Sequence, residues 1–256
     1  IEKVGYDPWG DMGDQWMSES GVDTTYMYRD HSVSTGTGLI LIEEDSTNTI
    51  IDGDSACQAL TLEETKNAIE AMKEAKVFIT GFGMPFRKAL DGAKIAKQEY
   101  GMTTLCNVSP LPSEEMGELD YLDYMVLNDV EAKMLCNLPE DSDQENYEIV
   151  RTLQQKYHCK GVIMTCSSKG SAIIDGDEYW EVEATPVKAV DTIGAGDGYL
   201  AAVAANLVWG KSLRESTEWA SKYAAYKVTR PGSMTKKPGC GYPNREEVER
   251  FIDSIK

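Results

Sequence analysis

The stretch Asp191-Thr192-Ile193-Gly194-Ala195-Gly196-Asp197-Gly198 leads directly into the apolar run Tyr199-Leu200-Ala201-Ala202-Val203-Ala204-Ala205. A glycine-rich turn that opens a helix lets backbone approach a ligand closely, and the N–H groups of the first helical turn, reinforced by the helix dipole, form an anion site. An aspartate fixed there, Asp197, is placed to accept the proton of an attacking hydroxyl while the amides stabilise the equatorial oxygens of a transferring phosphoryl group. The same residues allow a plainer reading, in which the glycines make a tight loop and Asp197 satisfies orphan amides of the helix. A second polar cluster, Asn128-Asp129-Val130-Glu131, has the spacing of a capping box. Its amide and carboxylate oxygens also suit a hard cation that keeps much of its water.

These residues need a scaffold. From about residue 60 the chain alternates β-branched runs with capped amphipathic segments, the pattern of βαβ units around a parallel sheet. Thr61-Leu62-Glu63-Glu64 is a capping box that predicts a helix to about Lys76, followed by Val77-Phe78-Ile79-Thr80 as a buried strand. Pro85 suits a first helical turn and Gly101 a helix stop. Further strands are predicted over 102–107, 125–127 and 162–165. Asp175-Gly176, set between two β-prone runs, signals a hairpin, so an antiparallel edge joins the parallel sheet. The last third reads as helical, from Gly194 to about Trp209, from Ser212-Leu213-Arg214-Glu215, and from Asn244 onward. Earlier, Gly38-Leu39-Ile40-Leu41-Ile42 and Thr49-Ile50-Ile51 flank a polar turn at 44–48. They predict a β-flap over 33–52, lying on the ligand edge of a core built from 1–32 and 53–256.

With 256 residues, 41% of them hydrophobic and 27% charged, the chain can bury one sizeable core. The formal charge of −18 argues against nucleic acid or an anionic membrane as partner, since a field of that sign repels both. An anionic nucleotide would therefore need a local site of Mg²⁺, amides and a few cations. No apolar run approaches the ~18 residues of a spanning helix, and Ile1-Glu2-Lys3-Val4-Gly5 lacks the pattern of a signal peptide, so a cytoplasmic protein is expected. The cysteines form no C-x-x-C pair and read as reduced, mostly buried thiols, and His158-Cys159 lacks the further ligands a metal would require.

Asp-Thr-x-Gly-Ala-Gly-Asp before a small-residue helix resembles the signature of the PfkB/ribokinase family of sugar kinases. The resemblance implies a ribokinase-like α/β fold, a mostly parallel sheet flanked by helices with a small β-sheet lid. It also implies transfer of the γ-phosphoryl group of ATP to a hydroxyl of a sugar or nucleoside. By that resemblance Asp197 is the catalytic base and touches the substrate; Gly194, Ala195 and Gly196 form the anion hole. Asp191 and the Ile193 carbonyl lie where ribokinases hold an activating K⁺. Asn128 and Glu131 resemble the N-x-x-E motif that influences Mg²⁺ and phosphate binding. Val162-Ile163-Met164-Thr165-Cys166-Ser167-Ser168-Lys169-Gly170 is similar to the strand-to-turn segment near the ATP phosphates and ribose, which implicates Thr165, Ser167 and Gly170. Val228-Thr229-Arg230-Pro231-Gly232, with the helix from Asn244, resembles the C-terminal part that covers adenine, which implicates Gly232. Thr35 in the flap and Asn107 in Cys106-Asn107-Val108-Ser109-Pro110 fall on the substrate side.

The resemblance also has departures. Val4-Gly5-Tyr6-Asp7-Pro8-Trp9-Gly10 resembles a segment that in the family lies some tens of residues into the chain. The first strand, a sugar-binding turn and a Gly-Gly hinge are therefore expected to be missing, leaving an exposed sheet edge and weak or no kinase activity for this polypeptide alone. Cys166 and Ser167 depart from the family's turn, Gly83 stands where ribokinases place a glutamate, and Gly53-Asp54-Ser55-Ala56 is also atypical. Ribose, a fructose-like sugar, a nucleoside and a sugar phosphate thus all stay open as substrates, as does a non-catalytic sugar- or nucleotide-binding role. Gly81-Phe82-Gly83 lacks the third glycine of a dinucleotide fingerprint, Phe86 standing in its place, and no P-loop occurs. The flap run 39–42, apolar on both faces, predicts a homodimer through the flaps.

Overall fold

The computed structural model describes residues 1–42, 48–83, 85–232, 235 and 237–255. The chain opens with two parallel strands, β1 (Glu2–Gly5) and β2 (Met27–Asp30), joined through helix α1 (Pro8–Glu19). Asp7 caps α1, and its carboxylate accepts from the amides of Trp9, Gly10 and Thr35. These bonds, that from Thr35 foremost, hold Asp7 below the usual carboxylate range. Strands β3 (Leu39–Ile42) and β4 (Asn48–Ile51) form the separate antiparallel pair expected of the flap. Turn residues 44–47 and the side chains of Ile40 and Ile42 lie outside the described residues.

Helix α2 (Leu62–Ala71) starts at the Thr61/Glu64 capping box but ends before Lys76. Met72 closes it, and the Ala75 amide donates to the Met72 carbonyl, so 72–75 turn the chain into the next strand instead of prolonging the helix. From there β5 (Val77–Gly81), α3 (Phe86–Tyr100), β6 (Thr103–Asn107), β7 (Tyr124–Asn128), α4 (Asp129–Leu135), α5 (Asn146–Tyr157) and β8 (Gly161–Thr165) follow one another. The hairpin β9 (Ser171–Asp175) and β10 (Glu178–Val182) adds the antiparallel edge, giving a six-stranded sheet of order β10-β9-β8-β7-β6-β5 with β5 to β8 parallel. Helices α6 (Ala195–Val208), α7 (Leu213–Val228) and α8 (Arg245–Ser254) complete the chain.

The period of two along each strand distributes the core to both faces. Met125, Leu127, Val162 and Met164 pack with Leu90 and Ala93 of α3, Ala132 of α4 and Ile149 and Leu153 of α5. Tyr124, Val126 and Ile163 face the other way, against Leu200 and Val203 of α6 and Ala220 of α7. The result is a helix–sheet–helix sandwich, which is why the strands read as continuous apolar runs. Strand β5 departs from the expectation of a buried strand because it is the sheet's edge: Ile79 is 45% exposed, and among the described residues no strand pairs with its outer side. A cavity of about 220 Å³ lies there, with Ile1, Leu60, Ile69 and Phe78 in its wall.

All six cysteines are free, and burial pushes the Cys106 and Cys159 thiols up to about 12. Among the described residues no cluster of three or more His, Cys, Asp or Glu could hold a metal ion, and His31 stacks on Tyr6 at 4.0 Å. No described helix is long and apolar enough to cross a membrane.

Candidate active site

Helix α6 is apolar nearly all round, with Tyr199, Leu200, Ala202 and Val203 buried, so packing pins it against the sheet. Its first turn is left polar. Gly194 sits at the N-cap with φ +75°, has no side chain to accept from the first-turn amides, and would carry a Cβ into Tyr242. The Ala195 amide donates to the Thr192 carbonyl at 3.1 Å and that of Gly198 to Gly194 at 2.9 Å. The Gly196 and Asp197 amides have no partner among the described hydrogen bonds. Asp197 itself is exposed.

These groups open into a cleft of about 200 Å³ at the carboxyl ends of the parallel strands, where open α/β sheets bind their ligands. Asn107 reaches it from the end of β6, Asn128 and Glu131 from β7 and α4, and Thr165 from β8. Gly194, Ala195, Gly196 and Asp197 line it too. Eight of the residues picked from sequence thus meet in one depression.

Asn128 and Glu131 do form the capping box: the Glu131 amide donates to Asn128 Oδ1 at 2.8 Å, and the Asn128 amide to Glu131 Oε2 at 2.9 Å. Glu131 Oε1 takes part in none of the described hydrogen bonds and, with Asp197, gives the cleft two carboxylates of hard-donor chemistry. That donor set fits Mg²⁺ held largely through water.

The remaining predicted residues are not among those that line the cleft. Ser167, at φ +51°, and Gly170, at φ +100°, belong to the turn after β8, which is closed by the Cys166 amide donating to the Gly170 carbonyl at 2.7 Å. The Thr35 hydroxyl accepts from the Gly5 amide at 2.9 Å, tying the start of the flap segment to β1. Asp191 stands behind the 192–194 loop, its carboxylate accepting from the amides of Ile193 at 2.9 Å and Gly232 at 2.7 Å. Burial pushes its pKa up, but those two amides and the nearby Lys227 charge outweigh burial and leave it below the ordinary value.

Two residues went unnoticed in the sequence. Lys227 is fully buried in the last turn of α7, and its ammonium donates to the Ile193 carbonyl and, at 3.4 Å, to that of Asp191. In sequence it is an ordinary basic residue near a helix C-terminus, and only its apolar surroundings, Ala225 and Val228, hint at burial. Tyr242 lies against Gly194 and Gly198, with its ring 6.0 Å from Lys227 Nζ. Burial raises its pKa, and the Asp197 charge adds to this. Arg230, also buried, donates to the carbonyls of Gly241 and Cys240 and to Glu247, so it organises the loop that carries Tyr242. With its carbonyls taken by an ammonium and its carboxylate by two amides, the Asp191/Ile193 position does not fit a K⁺ ion.

A mostly parallel sheet whose carboxyl ends face a glycine-opened helix with a carboxylate in its first turn defines an α/β enzyme with an anion-binding cleft. The profile of the pfkB family of carbohydrate kinases matches residues 1–240, and the chain belongs to this family. A deoxyribokinase from Salmonella typhi is 26% identical over 256 residues, covering 98% of this chain and 80% of that protein. Ribokinase from Thermotoga maritima superposes with a TM-score of 0.82 at 26% identity, over 98% of this chain and 80% of that one. Ribokinase from Arabidopsis thaliana, complexed with ribose and ATP, gives 0.83 at 24% identity over the same shares. The chain is a carbohydrate kinase of ribokinase-like fold.

Proposed function

We propose that this chain transfers the γ-phosphoryl group of ATP to a hydroxyl of a sugar, with Asp197 as the base. The observation that carries the reading is the placement of an exposed Asp197 in the same cleft as two amides at the start of α6 that have no partner among the described hydrogen bonds. Asp197 takes the proton of the sugar hydroxyl, and the amides of Gly196 and Asp197, with the small residues Gly194 and Ala195 leaving room, stabilise the phosphoryl oxygens. Asn107 orients the sugar from the end of β6, and Thr35 approaches it from the flap. Thr165 and Asn128 face the nucleotide, while Ser167, Gly170 and Gly232 border its ribose and adenine. Magnesium bound with ATP would supply charge neutralisation between phosphates, and Glu131 is the residue that would hold it, largely through water.

Residues 1–32 and 53–256 act as the catalytic core and 33–52 as its lid. A formal charge of −18 supports a small-molecule substrate, sugar or nucleoside, over nucleic acid or membrane, and fits a cytoplasmic protein. Leu39, Leu41 and Ile51 are each about half exposed on the flap, which supports a homodimer that covers them. The test is a panel of sugars and nucleosides assayed for ADP release with Mg-ATP, comparing wild type with Asp197→Asn. Whatever the wild-type rate, a fall in sugar-dependent release towards the roughly 10²–10⁴ of a lost general base is expected in the variant. Undiminished turnover by Asp197→Asn would remove the assigned base.

A further inference from the structure

Lysine is almost never enclosed unless it is paired, yet Lys227 has 0% of its surface exposed. Among the described residues its ammonium meets no carboxylate oxygen at hydrogen-bond distance. It donates instead to the main-chain carbonyls of Ile193 and Asp191. The Asp191 charge acts on it electrostatically, and the Tyr242 ring lies 6.0 Å away. The C-terminal turn of α7, the negative end of its dipole, carries it. Two carbonyl oxygens, a nearby anion and an aromatic ring are the surroundings a desolvated monovalent cation requires. The Asp191 carboxylate meanwhile accepts from the amide of Ile193 at one oxygen and from that of Gly232 at the other, so both oxygens already have a main-chain donor.

This loop runs from Asp191 through Gly194 into the α6 amides that have no partner among the described hydrogen bonds. We propose that the Lys227 ammonium is a built-in replacement for a monovalent metal ion at the base of the 191–196 loop, so that nucleotide binding by this chain has no K⁺ requirement. Lys227 is a positioning residue: it holds the carbonyl side of the loop so that the amide side is presented to phosphate. A K⁺ ion at the same carbonyls would stand at close range against the positive charge of the ammonium.

The inference rests on the proposed nucleotide site for its binding readout and stands apart from it in its stability readout. Wild type, Lys227→Ala and Lys227→Met are compared in potassium chloride and in choline chloride of equal ionic strength, by thermal unfolding and by ADP titration calorimetry with Mg²⁺. Wild type is expected to give the same melting temperature and ADP affinity in both salts. Lys227→Ala, which opens room for an ion, should lose roughly tenfold or more in ADP affinity in choline and recover most of it in K⁺. Lys227→Met fills the space without charge and should lose affinity in both salts. If no form binds ADP, the kinase reading fails, and the inference is still decided by whether K⁺ raises the melting temperature of Lys227→Ala but not of wild type. A wild type whose affinity or melting temperature depends on K⁺ would overturn the inference whether or not the variants fold. So would a Lys227→Ala variant that responds equally to both salts.

Discussion

Gly194 is the joint on which the anion site turns, and Gly194→Ala measures it. The residue has φ +75°, a conformation that costs an L side chain ~1–2 kcal/mol. A Cβ there would also lie 3.0 Å from Tyr242 Cζ and 3.4 Å from its Cε1, and closer still to the phenolic oxygen. Such overlap in a packed region costs typically ~1–3 kcal/mol unless the ring gives way. The two add to roughly 2–5 kcal/mol of lost stability, a large share of what a domain possesses. Urea unfolding followed by circular dichroism would read it as a fall in midpoint at unchanged slope. The double variant Gly194→Ala/Tyr242→Ala separates the contributions: the steric part should vanish, so the pair should cost about 1–3 kcal/mol less than the sum of the singles. A Gly194→Ala variant within about 0.5 kcal/mol of wild type would refute the positive φ as a requirement. Full additivity with Tyr242→Ala would refute the ring as the wall.

Further outcomes follow from other contacts. Glu247 is held below its ordinary 4.5, first by the Asn244 amide and then by Arg230. A depressed folded value means this stabilisation is complete above the unfolded pKa and lost as pH falls through the folded one. Melting temperatures taken on acidification below about pH 4.5 should therefore drop less steeply for Glu247→Gln than for wild type. Asn128→Ala should cost about 1 kcal/mol through the lost cap of α4, whereas Glu131→Gln should mainly raise the Mg²⁺ concentration needed for turnover; equal effects of the two on unfolding and on Mg²⁺ response would contradict the division. Leu41→Asp should convert a flap-mediated dimer to monomer by light scattering, and an unchanged mass would end the flap interface.

The elements legible in the sequence were those whose signal is local. Thr61 and Ser212 each accept from the amide three residues on, as their capping boxes predicted, and Gly101 stops α3 in the left-handed region at φ +68°. The Gly176 hairpin rests on equally local turn chemistry. Elements with weaker local signals were not delimited. Helix α5 has no side-chain cap, and its buried Ile149, Val150, Leu153 and Tyr157 were the only clue to it. Strands β1 and β2 escaped because each is four residues long and their parallel pairing spans an entire helix. The cleft was legible where a motif supplied both type and spacing, as at 194–197 and 128–131. Lys227 and Tyr242 were not, because their meeting with the 191–194 loop joins three segments that sequence separation hides.

That meeting follows from a constraint on the site itself. Helices α1, α2, α4, α7 and α8 satisfy their first amides with a side-chain cap. A helix that must offer those amides to a ligand cannot do so, and α6 opens instead on a glycine with no side chain. Its uncapped end must then be held from outside, or the left-handed joint would relax. Asp191 does this by clamping the Ile193 and Gly232 amides, and Lys227 by gripping the carbonyls on the loop's other side. Arg230 supports Tyr242 at one remove through the carbonyls of Cys240 and Gly241. The geometry of the anion site is therefore stored in α7 and the loop after it, more than in the glycines that line it.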